Sequence, residues 1–490
     1  MPSPQIRIEP TEADVPNAAV VALRSRFAAV RAELELDAPY PADAVAEAER
    51  VAVEPTHLPT RDLTDLPFWT LDPASSMDLD QALHLQRDGD GHRIRYAIAD
   101  VPAFVRPGGA LDVATRSRAQ TVYCPDERVP LHPAVLSEGA ASLLPGQVRP
   151  AYVWDLRLDG DGAVTSVHVE RAMVRSRDRQ DYDTVQAQVD AGTNDERFLL
   201  LREIGERRLM QERARGGASL PIPEQQVRIT GDGGFALEFR PPVPAEDWNA
   251  QISLATGMSA ARLMLDAGIG LLRTMPPPSE GSLDWYRRQA KALGAPWRPG
   301  TAYGEFIRTL DRTDPHHLAL LHAAAGLFRG AGYTPFDGVT PAAPTHAAVA
   351  APYAHVTAPL RRLVDRFGLV LCADICAGQD PQEWVRSALP DLPQLMAEGG
   401  RAAAAAERAC ADATEAGVLM GLVGGTLNAV VLERAPKAVI VQLLDLPIVE
   451  RARGAGRPGR PVSVRVDSAD IAAGAVELSV VPAPAPTASG

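Results

Sequence analysis

Between two apolar runs, the segment Thr70-Leu71-Asp72-Pro73-Ala74-Ser75-Ser76-Met77-Asp78-Leu79-Asp80-Gln81 sets three carboxylates in the spacing Asp-x5-Asp-x-Asp. Phe68, Trp69 and Leu71 read as a buried strand entering a loop, and Gln81 to Leu85 as a second strand leaving it. In extended chain, residues two apart project to one side, so Asp78 and Asp80 share a face. Asp72 reaches that face if the loop folds back. Three anions gathered there repel one another unless a cation lies between them. Carboxylate oxygens, completed by water and substrate phosphate, suit Mg²⁺, with Mn²⁺ as the alternative. The competing reading is ordinary turn chemistry, in which Asp beside Pro and Ser caps a solvated loop. A calcium loop of the EF-hand type is disfavoured, because the turn glycine and the closing glutamate are both missing.

The surrounding chain alternates strand and turn. Asp88-Gly89-Asp90-Gly91, Asp159-Gly160-Asp161-Gly162 and Gly231-Asp232-Gly233-Gly234 each join alternating apolar segments, a hairpin signal. Ahead of them, Val20, Leu23, Phe27, Val30 and Leu34 recur at helical spacing over residues 17–36, and residues 42–52 suggest a second helix. This helical head reads as an accessory unit without chemistry of its own, followed by a linker from Pro55 to Asp65. Residues 195–215 form a helix stopped by Gly216 and Gly217. Beyond residue 246 the pattern is mainly helical, over Trp248 to Leu271, around Trp285 and over His316 to Leu327. The expected class is α+β, with mixed sheet first and helices after.

At 490 residues with a hydrophobic share of 46%, the chain has material for about three domains. No apolar run is long enough to span a membrane, and Met1 to Pro10 carries no charged-then-apolar leader, so a cytoplasmic location is expected. A net charge of −13 excludes a uniformly basic nucleic-acid binder but leaves room for a local basic channel. Cys124, Cys372, Cys376 and Cys410 form neither a CxxC pair nor a zinc set.

The second informative stretch is Tyr353-Ala354-His355-Val356-Thr357-Ala358-Pro359-Leu360-Arg361-Arg362-Leu363-Val364-Asp365. Thr357 suits an N-cap and Pro359 the first turn of a following helix. Arg361 and Arg362 would then sit where backbone N–H groups already favour an anion, making a phosphate site. The alternative is that one of the two arginines pairs with Asp365, which lies at i,i+4 from Arg361. From residue 418, alternation at Val439, Val441, Leu443, then Val462, Val464, Val466, then Val476, Leu478, Val480 fits a small OB-type barrel. Arg451, Arg453, Arg457 and Arg460 lie between its strands, either as solvated loop or as RNA contacts. Base-stacking aromatics are absent there.

Together the two stretches resemble the RNB catalytic domain of the ribonuclease II/R family. Its members carry Thr-(Ile/Leu)-Asp-x5-Asp-x-Asp-Asp and, far downstream, Tyr-Ala-His-Phe-Thr-Ser-Pro-Ile-Arg-Arg-Tyr. Ile98-Ala99-Asp100-Val101, Ser142-Leu143-Leu144-Pro145 and Arg149-Pro150-Ala151 match further blocks in order. The likeness covers about residues 60–375. It implies an exoribonuclease that degrades single-stranded RNA from the 3′ end to nucleoside 5′-monophosphates with a divalent metal, Mg²⁺ or Mn²⁺. By that resemblance Asp72 and Asp78 hold the metal, and Asp80 is both ligand and orienter of the attacking water. Arg361, with Arg362 beside it, grips phosphate. Tyr123, in Val122-Tyr123-Cys124-Pro125, matches an aromatic that stacks a terminal base, and Tyr182 the second tyrosine at the catalytic end of the channel. Read without the family, both are equally good core tyrosines.

Four departures accompany the likeness. Gln81 stands at the family's fourth aspartate, where its amide oxygen remains a possible metal ligand with one less negative charge. Asn249-Ala250 replaces a Glu-Glu pair, and Leu363 replaces the final tyrosine. Two cold-shock-type OB domains usually precede the catalytic domain, and residues 1–58 are too short for them. The expected layout is therefore a helical head over residues 1–58, an RNB-like catalytic domain of mixed sheet and helices over 59–415, an OB-like β-barrel over 416–481 and a disordered tail over 482–490. The partner expected is single-stranded RNA, with no membrane. The alternative is a catalytically weak RNB-derived RNA-binding protein, motivated by Gln81 and Ala250.

Overall fold

A computed structural model describes residues 6–9, 18–220, 224–229, 235–240, 242–312, 314–444, 446 and 448–481. The turn predicted at Gly231–Gly234 and the tail from residue 482 lie outside these residues, although strands Glu224–Ile229 and Phe235–Arg240 pair antiparallel around that turn.

Five strands, Phe68–Leu71, Gln81–Asp88, Gly91–Ala99, Val148–Leu158 and Val164–Gln180, close into a barrel in that order. Four antiparallel pairings link successive strands of that order, with Trp69 opposite Leu83 in the first and Asp88 opposite Gly91 at the first predicted hairpin. Closure comes from one parallel pairing, Phe68–Leu71 alongside Ser176–Gln180. The mixed sheet expected from the sequence is thus a closed barrel, a form that leaves no exposed edge. Both faces of its strands are buried. Leu83, Tyr96, Tyr152 and Trp154 join a cluster with Phe198, Trp248 and Phe367 of the helices, while Ala82, Ala97, Ala151 and Val153 join another with Leu79, Phe104 and Leu360. The barrel therefore brings the acidic loop and the arginine segment against a shared apolar layer.

Helices Ala18–Glu33, Ala42–Val53, Glu196–Ala214, Glu280–Ala292 and Pro315–Ala324 occupy the predicted segments. One prediction runs too far. Pro244–Ala267 ends at Gly268, whose φ of 74° gives a left-handed cap, and Ile269–Thr274 continues as a strand rather than as helix to Leu271. Earlier in that helix, Gly257 accepts the Ala354 N–H at 3.0 Å, and a Cβ there would collide with the Tyr353 ring, so only glycine lets the two segments meet. The 29-residue helix Leu392–Met420 leads to a second closed barrel formed by Thr426–Ala435, Ala438–Leu443, Val449–Arg453, Pro461–Asp470 and Ala475–Val481. Its core holds Val439, Val441, Val464, Val466 and Leu478, the residues whose alternation predicted it. The head is not set apart by its linker. Leu23, Phe27 and Val30 pack with Val122 and with Ala403, Ala406 and Cys410 of the long helix.

Where that helix meets the second barrel, Glu415 faces Glu450, with Asp412 on its own helix. Burial first, then these two carboxylates, push its carboxyl up to about 8. Between its ordinary value of 4.5 and about 8, the native state keeps a proton that the unfolded chain releases, so stability falls as pH rises through that window. Glu415→Gln is expected to flatten the decline of Tm from about pH 5 to pH 9, read by calorimetry at matched ionic strength.

Candidate active site

The acidic loop is held by its surroundings rather than by its own turns. Ser142 Oγ accepts the Leu79 N–H at 2.9 Å and donates to the Met77 carbonyl at 2.7 Å. The Leu143 N–H reaches the Leu79 carbonyl at 3.0 Å, and the Ala99 N–H reaches that of Asp80 at 2.9 Å. Ser142 is fully buried. Ser142→Ala leaves the buried Leu79 N–H without a partner and releases the part-buried Met77 carbonyl, and it is expected to cost about 1–3 kcal/mol, seen as a lower urea midpoint at unchanged slope.

Asp80 lies at the junction of the two motifs. Its side chain is 5% exposed, its Oδ1 accepts the Leu360 N–H at 2.8 Å, and its Oδ2 lies 3.6 Å from Arg361 Nε. Burial pushes the Asp80 carboxyl well above the usual range, with Asp78 and Asp365 adding and Arg361 and the Leu360 N–H opposing. Asp72 is raised to about 7, first by burial and then by Asp78, against the pull of Arg361 and Arg179. Its Oδ2 is buried without a hydrogen-bond partner. Asp78 is held by Arg128 Nη1 at 2.5 Å, and the same guanidinium reaches Glu138 at 2.6 Å. Gln81 Nε2 donates to the Thr357 carbonyl at 2.5 Å, which ties the acidic block to the arginine segment and leaves Oε1 as its remaining acceptor.

Arg361 and Arg362 differ sharply. The Arg361 side chain is 44% exposed beside Asp80. Arg362, named with Arg361 as an RNA contact, is instead clamped by fully buried Asp365, through Nε at 2.9 Å and Nη2 at 2.8 Å. The reason lies in where the helix starts. Asp365 Oδ1 accepts the Ala358 N–H at 2.7 Å, and the Arg361 and Arg362 N–H groups turn back to the Ala358 carbonyl. The helix therefore runs from Leu363 to Cys376 with Arg362 at its N-cap position, so Thr357 does not cap it and Pro359 precedes its first turn. Of the two arginines, the one that pairs with Asp365 is Arg362, three residues before it.

Tyr123 lies on a two-residue strand paired with Arg128–Val129. Burial raises its phenol, and the charges of Arg361, Asp78 and Asp80 all act on it. Tyr182 accepts from Asn249 Nδ2 at 3.0 Å and feels the charge of Asp72. The fold thus gathers Asp72, Asp78, Asp80, Gln81, Tyr123, Tyr182 and Arg361 around one locus. Arg128 and Arg179 also belong to it and were not singled out from the sequence. Arg179 is next to last in the strand parallel to Phe68–Leu71 and donates to the Ala74 carbonyl of the loop. For Arg128 the available signal was the Pro125-Asp126 turn, which folds it back opposite Tyr123.

Among the described residues, no group of three or more His, Cys, Asp or Glu side chains is disposed to hold a metal by itself. The carboxylates do not form the closed trio the spacing suggested, because Arg128 occupies Asp78. The locus still fits a Mg²⁺-type ion, which commonly takes one or two carboxylates and completes its shell with water and substrate phosphate. The unpartnered Asp72 Oδ2, in a carboxyl raised first by burial and then by Asp78, is the atom that such an ion would satisfy.

A barrel carrying this acidic loop, followed by a second small barrel, defines the class. Residues 60–368 match the RNB domain model and residues 426–481 match that of the RNase II-type exonuclease C-terminal S1 domain. The chain belongs to the RNB family. Exoribonuclease 2 of Aeromonas hydrophila is 27% identical over 357 residues, 68% of this chain and 50% of that protein. The chain spans half or less of the length of the first curated relatives it matches. In fold it is similar to Mycoplasma genitalium RNase R solved with ribose-methylated single-stranded RNA, at TM-score 0.80 and 17% identity, over 94% of this chain and 78% of that one. It is also similar to yeast Ssd1, a pseudonuclease, at TM-score 0.65 and 16% identity, over 82% of this chain and 52% of that one.

Proposed function

We propose that the chain is a divalent-metal-dependent 3′→5′ exoribonuclease that hydrolyses single-stranded RNA to nucleoside 5′-monophosphates. The observation that carries this reading is the juxtaposition of Asp80 and Arg361. A buried carboxylate fixed by the Leu360 N–H stands 3.6 Å from a half-exposed guanidinium, with Asp72 and Asp78 alongside. Asp72, Asp78 and Asp80, with the Gln81 amide oxygen, would hold Mg²⁺ or Mn²⁺. When bound, the ion supplies a lowered pKa for water and a counter-charge for the scissile phosphate. Asp80 orients the attacking water through the carboxylate oxygen that does not take the Leu360 N–H. Arg361 grips the scissile phosphate through its forked donors and neutralises the charge that grows on it. Tyr123 and Tyr182 stack the terminal bases, a sequence-tolerant contact, so little base preference follows.

One second reading rests on specific residues. Gln81 brings less charge than an aspartate, and exposed Ala250 offers no acidic contact to the terminal nucleotides. These favour an RNA-binding protein with weak catalysis, and yeast Ssd1, similar in fold to this chain, is a pseudonuclease. The two readings part on a 5′-labelled single-stranded RNA incubated with Mg²⁺ or Mn²⁺. Stepwise shortening from the 3′ end supports the nuclease. RNA retained tightly and intact under both metals supports the binder.

A further inference from the structure

The ribbon that carries Tyr123 and Arg128 is too short to hold itself. Two residue pairs, Val122–Val129 and Tyr123–Arg128, form it, closed at the turn by the Cys124 N–H on the Glu127 carbonyl and at the base by the Leu131 N–H on Thr121 Oγ1, and isolated two-stranded ribbons are marginal in water even when longer. Its inner side meets the site, with Tyr123 beside Arg361 and with Arg128 bridging Asp78 and Glu138. Its outer side meets the head. Arg31, with a side chain only 8% exposed, grips Asp126 at the turn through Nη1 at 2.7 Å and Nη2 at 3.2 Å, and reaches Glu127 at 3.2 Å. The Tyr40 hydroxyl donates to the Leu131 carbonyl where the ribbon ends, with the Pro130 carbonyl 3.2 Å away, and the Arg118 guanidinium lies 4.0 Å over its ring. Leu23, Phe27 and Val30 pack with Val122, Val129 and Cys124.

We propose that residues 18–40 are a working part of the RNA-degrading site: Arg31 and Tyr40 are positioning residues that hold the ribbon 122–129 so that Tyr123 and Arg128 face the acidic loop. The proposal rests on the nuclease reading above for its substrate, but not for its geometry. The head thereby acts on RNA without touching it. Removing Arg31 strands Asp126 and frees the turn, whereas Tyr40→Phe deletes one hydroxyl and leaves the packing in place.

The test uses the full chain in four forms: native, Arg31→Met, Tyr40→Phe and Arg31→Met with Asp126→Asn. Hydrogen–deuterium exchange without RNA or metal reads the ribbon directly. In Arg31→Met, amides 121–131 are expected to exchange about tenfold faster while helix 363–376 and barrel 426–481 stay unchanged. On single-stranded RNA, KM is expected to rise about fivefold as Tyr123 loosens, with a smaller fall in kcat because Arg128 also holds Asp78. Tyr40→Phe should move both readouts in the same direction by less, and it decides the matter if Arg31→Met does not fold. The double variant should be no worse than Arg31→Met. Unchanged ribbon exchange, or a uniform rise along the whole chain with KM unaltered, overturns the proposal. Absence of cleavage by the native protein sinks the nuclease reading alone. Ribbon exchange and RNA affinity then decide the positioning role in place of KM.

Discussion

Asp80→Asn is expected to reduce mononucleotide release by on the order of a thousandfold while the protein folds normally. The two effects separate because Asp80 does two jobs with two oxygens. Oδ1 accepts the Leu360 N–H at 2.8 Å, a bond that an asparagine oxygen reproduces. Oδ2 faces Arg361 and supplies the negative charge to which a cation and an attacking water would be held. The amide removes that charge and no volume. Its effect on folding has a predictable sign as well. Burial raises the native carboxyl above its ordinary range by penalising the ionised form, and a neutral amide escapes that penalty. The expected result is a Tm equal to or above native, with kcat lost. Cleavage within about tenfold of native would remove Asp80 from the chemistry.

The neighbouring arginines are expected to give opposite signatures. Arg361→Gln should lower kcat/KM by about a hundredfold or more with little change in Tm, because its ion pair is loose and part-exposed while its role lies in charge developing on phosphate. Asp365→Asn should instead destabilise by about 3–5 kcal/mol, since it leaves the Arg362 guanidinium without its buried counter-charge. Asp365 is fully buried, accepts two bonds from Arg362 and one from the Ala358 N–H, and so fixes the turn that presents Arg361. Urea unfolding measures the second effect and single-turnover kinetics the first. A large stability loss in Arg361→Gln with unaltered chemistry would reverse the assignment of the two arginines.

What could be read from the sequence was local. Asp-Gly turns set the antiparallel neighbours, and the alternations at Val439 and Val464 gave the second barrel, because in each case the signal lies within one or two adjacent segments. The acidic spacing likewise pointed to a real locus, and Asp72, Asp80 and Arg361 meet there. Contacts between distant segments were not legible. The parallel pairing that closes the first barrel joins residues 68–71 to 176–180, which no turn signal connects. Arg128 reaches Asp78 across 50 positions and Arg31 reaches Asp126 across 95, so neither partner could be inferred from spacing. The choice between Arg361 and Arg362 depended on where the helix begins. A shift of that start to Leu363 turns one arginine toward the site and the other onto Asp365.

The most direct test of the central claim is the reaction run in ¹⁸O-labelled water with Mn²⁺ or Mg²⁺ on a single-stranded RNA, the released nucleotides being weighed by mass spectrometry. Hydrolysis at the terminal linkage puts the water oxygen on the phosphate that leaves with the 3′-terminal nucleotide. The account predicts nucleoside 5′-monophosphates carrying one ¹⁸O, absent when the metal is chelated and absent with Asp80→Asn. No mononucleotide under either metal, or equal release by native protein and Asp80→Asn, would contradict it.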